Sequence, residues 1–329
     1  MKKIVVLGSG SFAGSQYIHH TLAPDTKIIG INRSAQTSAL FLPYLSSPNI
    51  ENFTFLQLDI NKDLPQIFQC LDDFEPDIIV DFAGQGMVAE SWQQPHQWYQ
   101  TNVVSKVKLH QFLIDKAWLK RYIRISTPEV YGSSESMIDE SAVFNPSTPY
   151  AVSHAAIDMS LKTFHKQYGF PVVFTRYSNF YGAGQQLYRI IPRTILYALS
   201  NQVLSLHGGG HAIRAFIHGK DVAQAINKAI EYGVTGETYH FSTTDFVSIR
   251  ELVQRIHQQM GVDHDSLVTI SDDRPGKDLK YLMDDTKSRR DLGWTPTVSL
   301  DEGIAQTVAW VTQNRDALLT YPLNYEHKE

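Results

Sequence analysis

The stretch IVVLGSGSFAG at residues 4–14 decides the fold of this chain. A run of apolar residues, which indicates a buried strand, leads into a turn of small residues, and a helical pattern follows. The backbone N–H groups of such a turn, together with the N-terminus of the helix, can closely approach a pyrophosphate. The stretch therefore predicts a dinucleotide site. The residues that it would place on the dinucleotide are Gly8, Ser11, Phe12, Ala13 and Gly14.

Other apolar runs alternate with helical patterns through the first half of the chain. The runs that we expect to form strands are IVVLG (4–8), KIIGIN (27–32), FTFLQLDI (53–60), DIIVDFAG (77–84), RYIRIS (121–126) and VVFTRY (172–177). Strands that alternate with helices form parallel sheets covered by helices on both faces. We therefore expect an α/β fold with a doubly wound parallel sheet, the Rossmann fold. Two long helices are predicted over about residues 95–118 and 148–168.

The regular alternation loosens after residue 180, where glycine-rich turns become frequent. This change predicts a second, smaller domain that interleaves with the first instead of following it after a linker. We expect residues 1–178 and about 215–245 to form the Rossmann domain. The segments of about 179–214 and 246–329 would form the substrate domain.

The composition excludes several classes of partner and site. The net charge is -5 over 329 residues without long runs of one sign, which does not suit a nucleic-acid polymer or an anionic membrane surface. No apolar run approaches the ~18 residues that span a bilayer. The single cysteine, Cys70, fits a reducing compartment, so we expect a cytoplasmic protein. The 13 histidines show no metal-ligand spacing, and we expect no metal site.

The residues that end the second predicted strand bear on which dinucleotide is bound. The adenosine ribose lies about 20 residues after the glycine-rich turn, and an acidic residue there favours a free 2′-hydroxyl. This chain has neutral Asn32 and basic Arg33, which can pair with a 2′-phosphate. We therefore expect NADP in preference to NAD; alternatively, Arg33 merely points to water. Asp59 and Ile60 would flank the adenine, and Ala83 leaves room for the cofactor backbone.

Motifs that follow in order extend this pattern over nearly the whole chain. They are STPEVYG (126–132), YAVSH (150–154), SNFYG (178–182), RIIP (189–192), GGG (208–210) with Arg214, DRPGKD (273–278) and LGW (292–294). Their order resembles the extended short-chain dehydrogenase/reductases. Within that superfamily, the chain is most similar to the dTDP-glucose 4,6-dehydratase and GDP-mannose 4,6-dehydratase group.

The resemblance implies that Tyr150 is the catalytic base. In that family a Tyr and a Lys four residues later share one helix face, and the Lys helps to stabilise the tyrosine as a phenolate. His154 stands at the Lys position, and a histidine is charged only below a pKa near 6.5 unless its surroundings raise that pKa. Tyr150 would then be a weaker base at neutral pH, and His154→Lys would raise activity; alternatively, His154 is only a polar helix residue. The resemblance also implies that Thr127 orients the substrate hydroxyl, and that Ser126 and Tyr177 lie beside the cofactor together with Tyr150 and His154.

The resemblance also assigns work to the residues after Thr127. In the family's dehydratases an Asp-Glu pair follows the Thr: the Glu removes the C5 proton of a 4-keto sugar, and the Asp, as acid, helps to expel the C6 hydroxyl. Glu129 is kept here, but Pro128 stands at the Asp position and has no proton to give. Either Glu129 handles both transfers, another group supplies the acid, or the reaction ends differently. Alternatively, Glu129 is an ordinary loop carboxylate.

A buried diphosphate requires arginines and amide donors, because burying its charge without partners is costly. The resemblance implies that four residues bind it, although each arginine alone is more often a solvated surface residue. They are Asn179, Arg189, Arg214 and Arg274.

Three functions remain in competition. The first is a nucleotide-sugar dehydratase of the 4,6 type, a lyase that uses a bound nicotinamide cofactor and a transient 4-keto sugar. The second is an epimerase that uses the same keto intermediate without losing water. The third is a non-catalytic cofactor-binding subunit, against which the retained Tyr150 and Glu129 argue. The resemblance further implies a homodimer that forms through the two long predicted helices.

Overall fold

The structure, a computed structural model, describes residues 1–272 and 280–328. Its strands are, in chain order, β1 (Lys2–Leu7), β2 (Thr26–Asn32), β3 (Phe53–Gln57), β4 (Ile78–Asp81), β5 (Arg121–Ser126), β6 (Met137–Ile138), β7 (Val172–Tyr177), β8 (Asn179–Tyr181), β9 (Leu204–His207), β10 (Ile213–His218), β11 (Thr238–Phe241), β12 (Phe246–Ser248), β13 (Val268–Ser271) and β14 (Leu282–Met283). Its helices are, in chain order, α1 (Phe12–Thr21), α2 (Leu64–Phe74), α3 (Pro95–Tyr99), α4 (Lys106–Leu113), α5 (Pro149–Tyr168), α6 (Ile190–Leu199), α7 (Gly219–Tyr232), α8 (Ile249–Met260), α9 (Thr286–Leu292), α10 (Leu300–Gln313) and α11 (Arg315–Leu318).

One parallel sheet carries seven strands in the order β11-β7-β5-β4-β1-β2-β3. Because the strand order reverses between β1 and β4, the carboxyl ends of these two strands open the crevice in which α/β proteins bind ligands. Every strand predicted from the apolar runs lies in this sheet, which confirms the Rossmann fold. The apolar pattern does not predict β11, because its residues include Thr238 and His240, which only the sheet buries.

Helices cover both faces of this sheet, as a doubly wound fold requires. The buried residues of β1 alternate between two apolar cores, with Ile4 and Val6 in one and Val5 and Leu7 in the other. Helices α1 and α7 pack on the first core, and helices α2, α4 and α5 pack on the second. The chain segment that sequence periodicity identified as a strand buried on both faces therefore lies at the centre of the sheet.

Of the two long predicted helices, one forms as a single helix and the other is divided into three pieces. Helix α5 matches the prediction: the Thr148 side chain accepts a hydrogen bond from the Ala151 N–H, and Gly169 ends the helix with φ +67°. The segment predicted over 95–118 is α3, a π-helical turn (Gln100–Ser105) and α4, which ends at Leu113. The helix ends early because the chain then turns to place the buried Leu119 before β5.

A second set of elements packs beside the carboxyl edge of the main sheet. Strands β12, β10 and β8 form a three-stranded sheet, and β13 pairs with β9. Helices α6, α8 and α10 share an apolar core that includes Ile195, Leu252 and Ile304. Within residues 1–272 and 280–328, none of the helices has the length and apolar character that a membrane crossing requires.

Candidate active site

The glycine-rich turn after β1 lies against the end of β4. Gly8 has φ +79°, and a Cβ atom added to it would lie 2.8 Å from the Ala83 backbone nitrogen. Ser11 caps α1 by accepting a hydrogen bond of 3.1 Å from the Gly14 N–H. The first turn of α1 contains no acidic side chain that would repel an anion. The turn can therefore hold a pyrophosphate through its backbone N–H groups.

The end of β2 lies beside this turn. A Cβ atom added to Gly10 would lie 2.7 Å from Asn32 Nδ2, so the Asn32 side chain packs directly against the turn. Asn32 Nδ2 donates a hydrogen bond of 2.8 Å to the Ser34 carbonyl oxygen, which fixes its orientation. Arg33 is half-buried, and its carbonyl oxygen accepts a hydrogen bond from Gln57 Nε2 on β3. Asn32 therefore lies directly against the glycine-rich turn, and Arg33 follows it at the end of β2.

The remaining predicted residues of the dinucleotide site lie around the same edge. Phe12 and Ala13 are buried in the first turn of α1. The Asp59 carboxylate accepts a hydrogen bond of 2.8 Å from the Asn61 N–H and so shapes the turn after β3. Ile60 packs at the margin of the core beneath α2. Asp59 therefore has a local structural role in addition to its predicted position near an adenine.

Thr127, Glu129 and Tyr150 converge beyond the carboxyl end of β5. Thr127 caps a 3₁₀-helical turn (Pro128–Tyr131), and its Oγ1 accepts a hydrogen bond of 3.2 Å from the Glu129 N–H. Burial raises the pKa of Tyr150, and the negative charge of Glu129 raises it further. A hydrogen bond with Thr127 and the positive charge of Arg189 act in the opposite direction. Glu129, Thr127 and Arg189 therefore all act on the ionisation of Tyr150.

His154 lies one helical turn from Tyr150, and the centroids of the two rings are 4.6 Å apart. The histidine is buried, and its Nδ1 lies 2.9 Å from Arg124 Nη2. Burial, reinforced by the charges of Arg124, Lys106 and Arg176, holds the pKa of His154 well below its usual value. The imidazole is therefore neutral at physiological pH, and it does not itself carry the charge that the family's lysine carries.

Asp158, one helical turn beyond His154, is the centre of a buried group of polar side chains. It accepts hydrogen bonds from Arg124 Nε (3.1 Å), Arg176 Nη2 (2.7 Å) and Ser126 Oγ (2.6 Å). The hydroxyl of Ser126, which is predicted to contact the cofactor, thus donates its hydrogen bond to Asp158. The two arginines lie on neighbouring strands, β5 and β7, which carry their side chains under α5.

A second buried carboxylate, Asp81 at the end of β4, adjoins this group. Asp81 Oδ2 lies 2.6 Å from Lys106 Nζ, accepts a hydrogen bond from the Tyr122 hydroxyl, and lies 3.9 Å from Arg124 Nη1. Burial alone would raise the pKa of Asp81, but Lys106 and Arg124 lower it below its usual value. Asp81 is therefore held as a carboxylate.

The motifs used for the sequence predictions did not identify this charged cluster. A usable signal was present, however: Asp81, Arg124 and Arg176 interrupt strands whose neighbours are apolar. Charged residues in a doubly buried strand must be paired. Asp158 also stands four residues after His154, which places the two on one helix face.

A further group of polar side chains involves the three-stranded sheet of β12, β10 and β8. The Tyr281 hydroxyl donates a hydrogen bond of 2.9 Å to Asn179 Oδ1 on β8. The Arg214 guanidinium, on β10, lies 4.3 Å from the centroid of the Tyr281 ring. Arg189 occupies the N-cap position of α6, and its guanidinium lies 5.4 Å from the centroid of the Tyr188 ring. The structure thus joins Asn179 and Arg214 through Tyr281, which the sequence motifs did not identify, while the predicted Arg274 lies outside the described residues.

Tyr177 lies in the protein core, and its predicted contact with the cofactor stays a prediction. Its ring belongs to the apolar core beneath α1 and α7, where it stacks on Phe241 at 5.0 Å between centroids. Only 3% of Tyr177 is exposed. The alternation of side chains along β7 turns it toward this core.

Among residues 1–272 and 280–328, no group of three or more His, Cys, Asp or Glu side chains could hold a metal ion.

Comparison with known proteins places the chain in a family. Residues 5–307 match the family model of GDP-mannose 4,6 dehydratase. The chain is 31% identical over 337 residues to the dTDP-glucose 4,6-dehydratase of Neisseria meningitidis serogroup B, and the match covers 96% of this chain and 94% of that protein. It is 29% identical to a trifunctional UDP-glucose 4,6-dehydratase/UDP-4-keto-6-deoxy-D-glucose 3,5-epimerase/UDP-4-keto-L-rhamnose-reductase of Arabidopsis thaliana. That match covers 98% of this chain, which spans 50% of the plant protein.

Solved structures give the same assignment. The dTDP-glucose 4,6-dehydratase DesIV of Streptomyces venezuelae, solved with NAD bound, matches with a TM-score of 0.88 and 32% identity, covering 96% of this chain and 98% of DesIV. A UDP-glucose 4-epimerase of Thermotoga maritima shares the fold, with a TM-score of 0.84 and 24% identity over 95% of this chain and 99% of the epimerase. The chain therefore belongs to the GDP-mannose 4,6-dehydratase family of the extended short-chain dehydrogenase/reductases.

Proposed function

We propose that the chain is a nucleotide-sugar dehydratase of the 4,6 type, which works with a bound nicotinamide dinucleotide and passes through a transient 4-keto sugar. The observation that carries the proposal is the convergence of Thr127, Glu129 and Tyr150 beyond the carboxyl end of β5, in a chain of the dehydratase family. The close approach of Gly8 to Ala83 fits a dinucleotide that passes over this turn. A bound nicotinamide supplies reversible hydride acceptance, which makes oxidation at C4 and reduction at C6 possible.

The side chains of this chain supply the proton transfers. Tyr150 takes the proton of the C4 hydroxyl, and Thr127, which caps the adjacent turn, orients that oxygen. Glu129 then removes the C5 proton, which the neighbouring ketone has made acidic. Because Pro128 cannot act as an acid, we propose that Glu129 passes the same proton to the departing C6 hydroxyl, which leaves as water. The proton taken from C5 thus balances the proton that the leaving hydroxyl needs.

An epimerase is the second candidate, and Pro128 is the observation that favours it. Mass spectrometry of dTDP-glucose, UDP-glucose and GDP-mannose after incubation with the protein separates the candidates. We expect loss of water from at least one of them, and no loss with Tyr150→Phe. A new isomer of unchanged mass would establish the epimerase instead. No change in any sugar, with cofactor still bound, would establish a non-catalytic subunit.

For the cofactor, we propose that Arg33 leads the site to take NADP in preference to NAD. The half-buried Arg33 follows β2, and the neighbouring residues Asn32 and Ser34 are neutral. A guanidinium at this place can pair with a 2′-phosphate. The relative DesIV carries NAD in its solved structure, so direct comparison of the two cofactors on this chain is needed.

For the substrate, we propose that the segments of about 179–214 and 246–329 form a nucleotide-sugar-binding domain beside a Rossmann domain of residues 1–178 and about 215–245. The hydrogen bond from Tyr281 to Asn179 and the packing of Arg214 on Tyr281 support a diphosphate site there. Arg214 is largely buried, so an anion that reached it would be poorly screened by water. The residues that we propose for the diphosphate are Asn179, Arg189, Arg214 and Arg274.

For the assembly, we propose a homodimer in which α3, the π-helical turn and α5 meet their copies. Large apolar side chains are exposed along these elements: Tyr99, Val104, Val152 and Met159. Exposed apolar surface of this kind marks an interaction site. Sedimentation should show a dimer at micromolar concentration and a monomer for the double variant Val152→Glu/Met159→Glu.

The lone Cys70 supports a proposed location in the reducing cytoplasm.

A further inference from the structure

The family's tyrosine–lysine pair has no lysine in this chain, yet Tyr150 still requires a positive charge. Burial and the carboxylate of Glu129 both oppose its ionisation. Building on the proposed function, we propose that Arg124 supplies this charge through His154. Arg124 is then a positioning residue: it holds the imidazole in one tautomer and places a permanent cation directly behind it.

Contacts on several sides hold the Arg124 guanidinium in place. Nη2 lies 2.9 Å from His154 Nδ1, Nη1 donates a hydrogen bond of 2.7 Å to the Ile125 carbonyl oxygen, and Nε donates one of 3.1 Å to Asp158 Oδ1. Only 1% of Arg124 is exposed. Because a guanidinium is planar, these contacts leave one N–H aimed at the imidazole.

The contact determines the tautomer of His154. An arginine cannot accept a hydrogen bond, so Nδ1 of the neutral imidazole accepts and the ring proton resides on Nε2. Within the described ranges, Nδ1 is the only ring nitrogen of His154 that makes a hydrogen bond. The Nε2–H group is therefore left to donate, and the Tyr150 ring lies 4.6 Å away between centroids. The guanidinium behind the ring makes this donor more positive.

The charges around Arg124 do not cancel. Asp158 is shared between Arg124 and Arg176, and Asp81 pairs with Lys106 at 2.6 Å. In this cluster, three cations therefore share two carboxylates. The surplus positive charge lies in a buried region where water screens it poorly, under the helix that carries Tyr150 and His154.

Other charged or titratable groups face Tyr150 from other elements. Glu129, from the turn after β5, and Tyr281, from the segment before β14, both raise its pKa, whereas Arg189, at the N-cap of α6, lowers it. Arg189 acts from the substrate side. Arg124 differs because it reaches the helix face that carries His154, through a direct hydrogen bond.

This arrangement reverses the result that the sequence predicts for His154→Lys. A lysine at position 154 would place an ammonium beside the Arg124 guanidinium, where like charges repel and the adjoining carboxylates, Asp158 and Asp81, already pair with three cations. The single variant should therefore lose activity. Adding Arg124→Gln removes the repulsion and leaves one cation next to Tyr150, so the double variant should recover activity.

Nitrogen-15 NMR of labelled histidine side chains tests the contact without any substrate. The His154 signals, assigned by their loss in His154→Gln, should show the Nε2–H tautomer in the wild-type protein and no titration between about pH 6 and pH 9. Arg124→Gln should abolish the tautomer preference. The control Arg176→Gln, which breaks a contact to the same Asp158 but does not touch His154, should keep it. An Nδ1–H tautomer in the wild-type protein would overturn the proposal.

The pH profile of kcat/KM with dTDP-glucose, or with whichever of UDP-glucose and GDP-mannose is turned over, tests the effect on Tyr150. Arg124→Gln should move the acid limb up by about one unit, which is about a tenfold loss at neutral pH, and Arg176→Gln should move it less. Equal shifts for the two variants, or a His154→Lys enzyme more active than wild type, would overturn the proposal. If Arg124→Gln does not fold, Arg124→Lys keeps a cation that can only donate, so it should retain both the acid limb and the Nε2–H tautomer, and loss of both in a folded variant would contradict the proposal. If no sugar is turned over, the proposed function fails, whereas the NMR measurement still decides the Arg124 contact.

Discussion

Pro128 stands where the family's dehydratases carry an acid. In the proposed mechanism, Glu129 therefore both removes the C5 proton and protonates the departing C6 hydroxyl. Glu129→Gln keeps the shape of the side chain and removes the base. We expect oxidation at C4 to survive, solvent deuterium incorporation at C5 to stop, and turnover to fall by about 10²- to 10⁴-fold. Mass spectrometry in deuterated water measures this. Glu135→Gln, at an exposed position that pairs with Lys280, is the matched control, and equal turnover of the two variants would show that Glu129 is not the base.

Arg33 is the residue that we expect to decide between the two nicotinamide cofactors. Arg33→Ala removes the guanidinium that can pair with a 2′-phosphate, so the affinity for NADP should fall by about 10-fold while that for NAD changes little. Calorimetric titration of both cofactors into both proteins gives the four affinities. A wild-type protein that binds NAD more tightly, or a variant with an unchanged preference, would remove the assignment.

The C-terminal segment (residues 321–328) connects elements on the two sides of the cleft. The His327 ring stacks on the buried Trp98 of α3, with 5.3 Å between centroids, and the Lys328 carbonyl oxygen accepts a hydrogen bond from Gln85 Nε2 after β4. On the other side, Arg193 of α6 donates to the Leu323 carbonyl oxygen. The C-terminal segment thus links the end of β4 to α6.

His327→Ala should loosen this link. Water would reach Trp98, so its emission should move to longer wavelength, and KM for the sugar nucleotide should rise by about threefold or more because the two sides of the cleft are less firmly held. Fluorescence and steady-state kinetics measure the two effects. Glu326→Ala changes a neighbouring exposed side chain and should leave both unchanged. Identical emission and KM for the two variants would mean that the segment contributes nothing to the cleft.

For the molecule as a whole, buried histidines predict a loss of stability in acid. Burial lowers the pKa of His110 and of His240 to about 3, and that of His154 well below its usual value. The unfolded chain takes up these protons near pH 6.5 whereas the folded chain does not. The stabilisation that these neutral imidazoles give the folded state is therefore fully present above about pH 6.5. For His110 and His240 it is lost as the pH falls toward 3, by about 1.4 kcal/mol per pH unit for each of the two.

Urea unfolding between about pH 7 and pH 5 measures this slope. His110→Gln removes one titrating group and should make the slope shallower by about 1.4 kcal/mol per pH unit. His96→Gln, at an exposed position of α3, should leave it unchanged. A slope that is the same for both variants would show that His110 takes up its proton over the same pH range in the folded and the unfolded protein.

The parallel sheet and the glycine-rich turn at its edge are predictable from the sequence alone. Apolar runs such as residues 4–7 and 78–80 indicate burial on both faces, because a strand at the centre of a doubly wound sheet has no polar side. The glycines at 8 and 14 report a close backbone approach, which is a local property of the chain. Helix α5 was predictable for the same reason, since Thr148 and Gly169 supply its ends from the sequence alone.

The surroundings of α5 follow from the fold and not from any local pattern in the sequence. Arg124, Arg176 and Asp81 come from three different strands and meet Asp158 or one another under α5, and a linear motif records none of these distances. The sequence alone predicts that His154→Lys would raise activity. In the structure, however, the Arg124 guanidinium already lies 2.9 Å from the His154 ring. The tail contacts of His327 and the inward turn of Tyr177 have the same origin. Each depends on which face of an element is covered by residues far away in the chain, and periodicity reports that a face is buried without identifying what buries it.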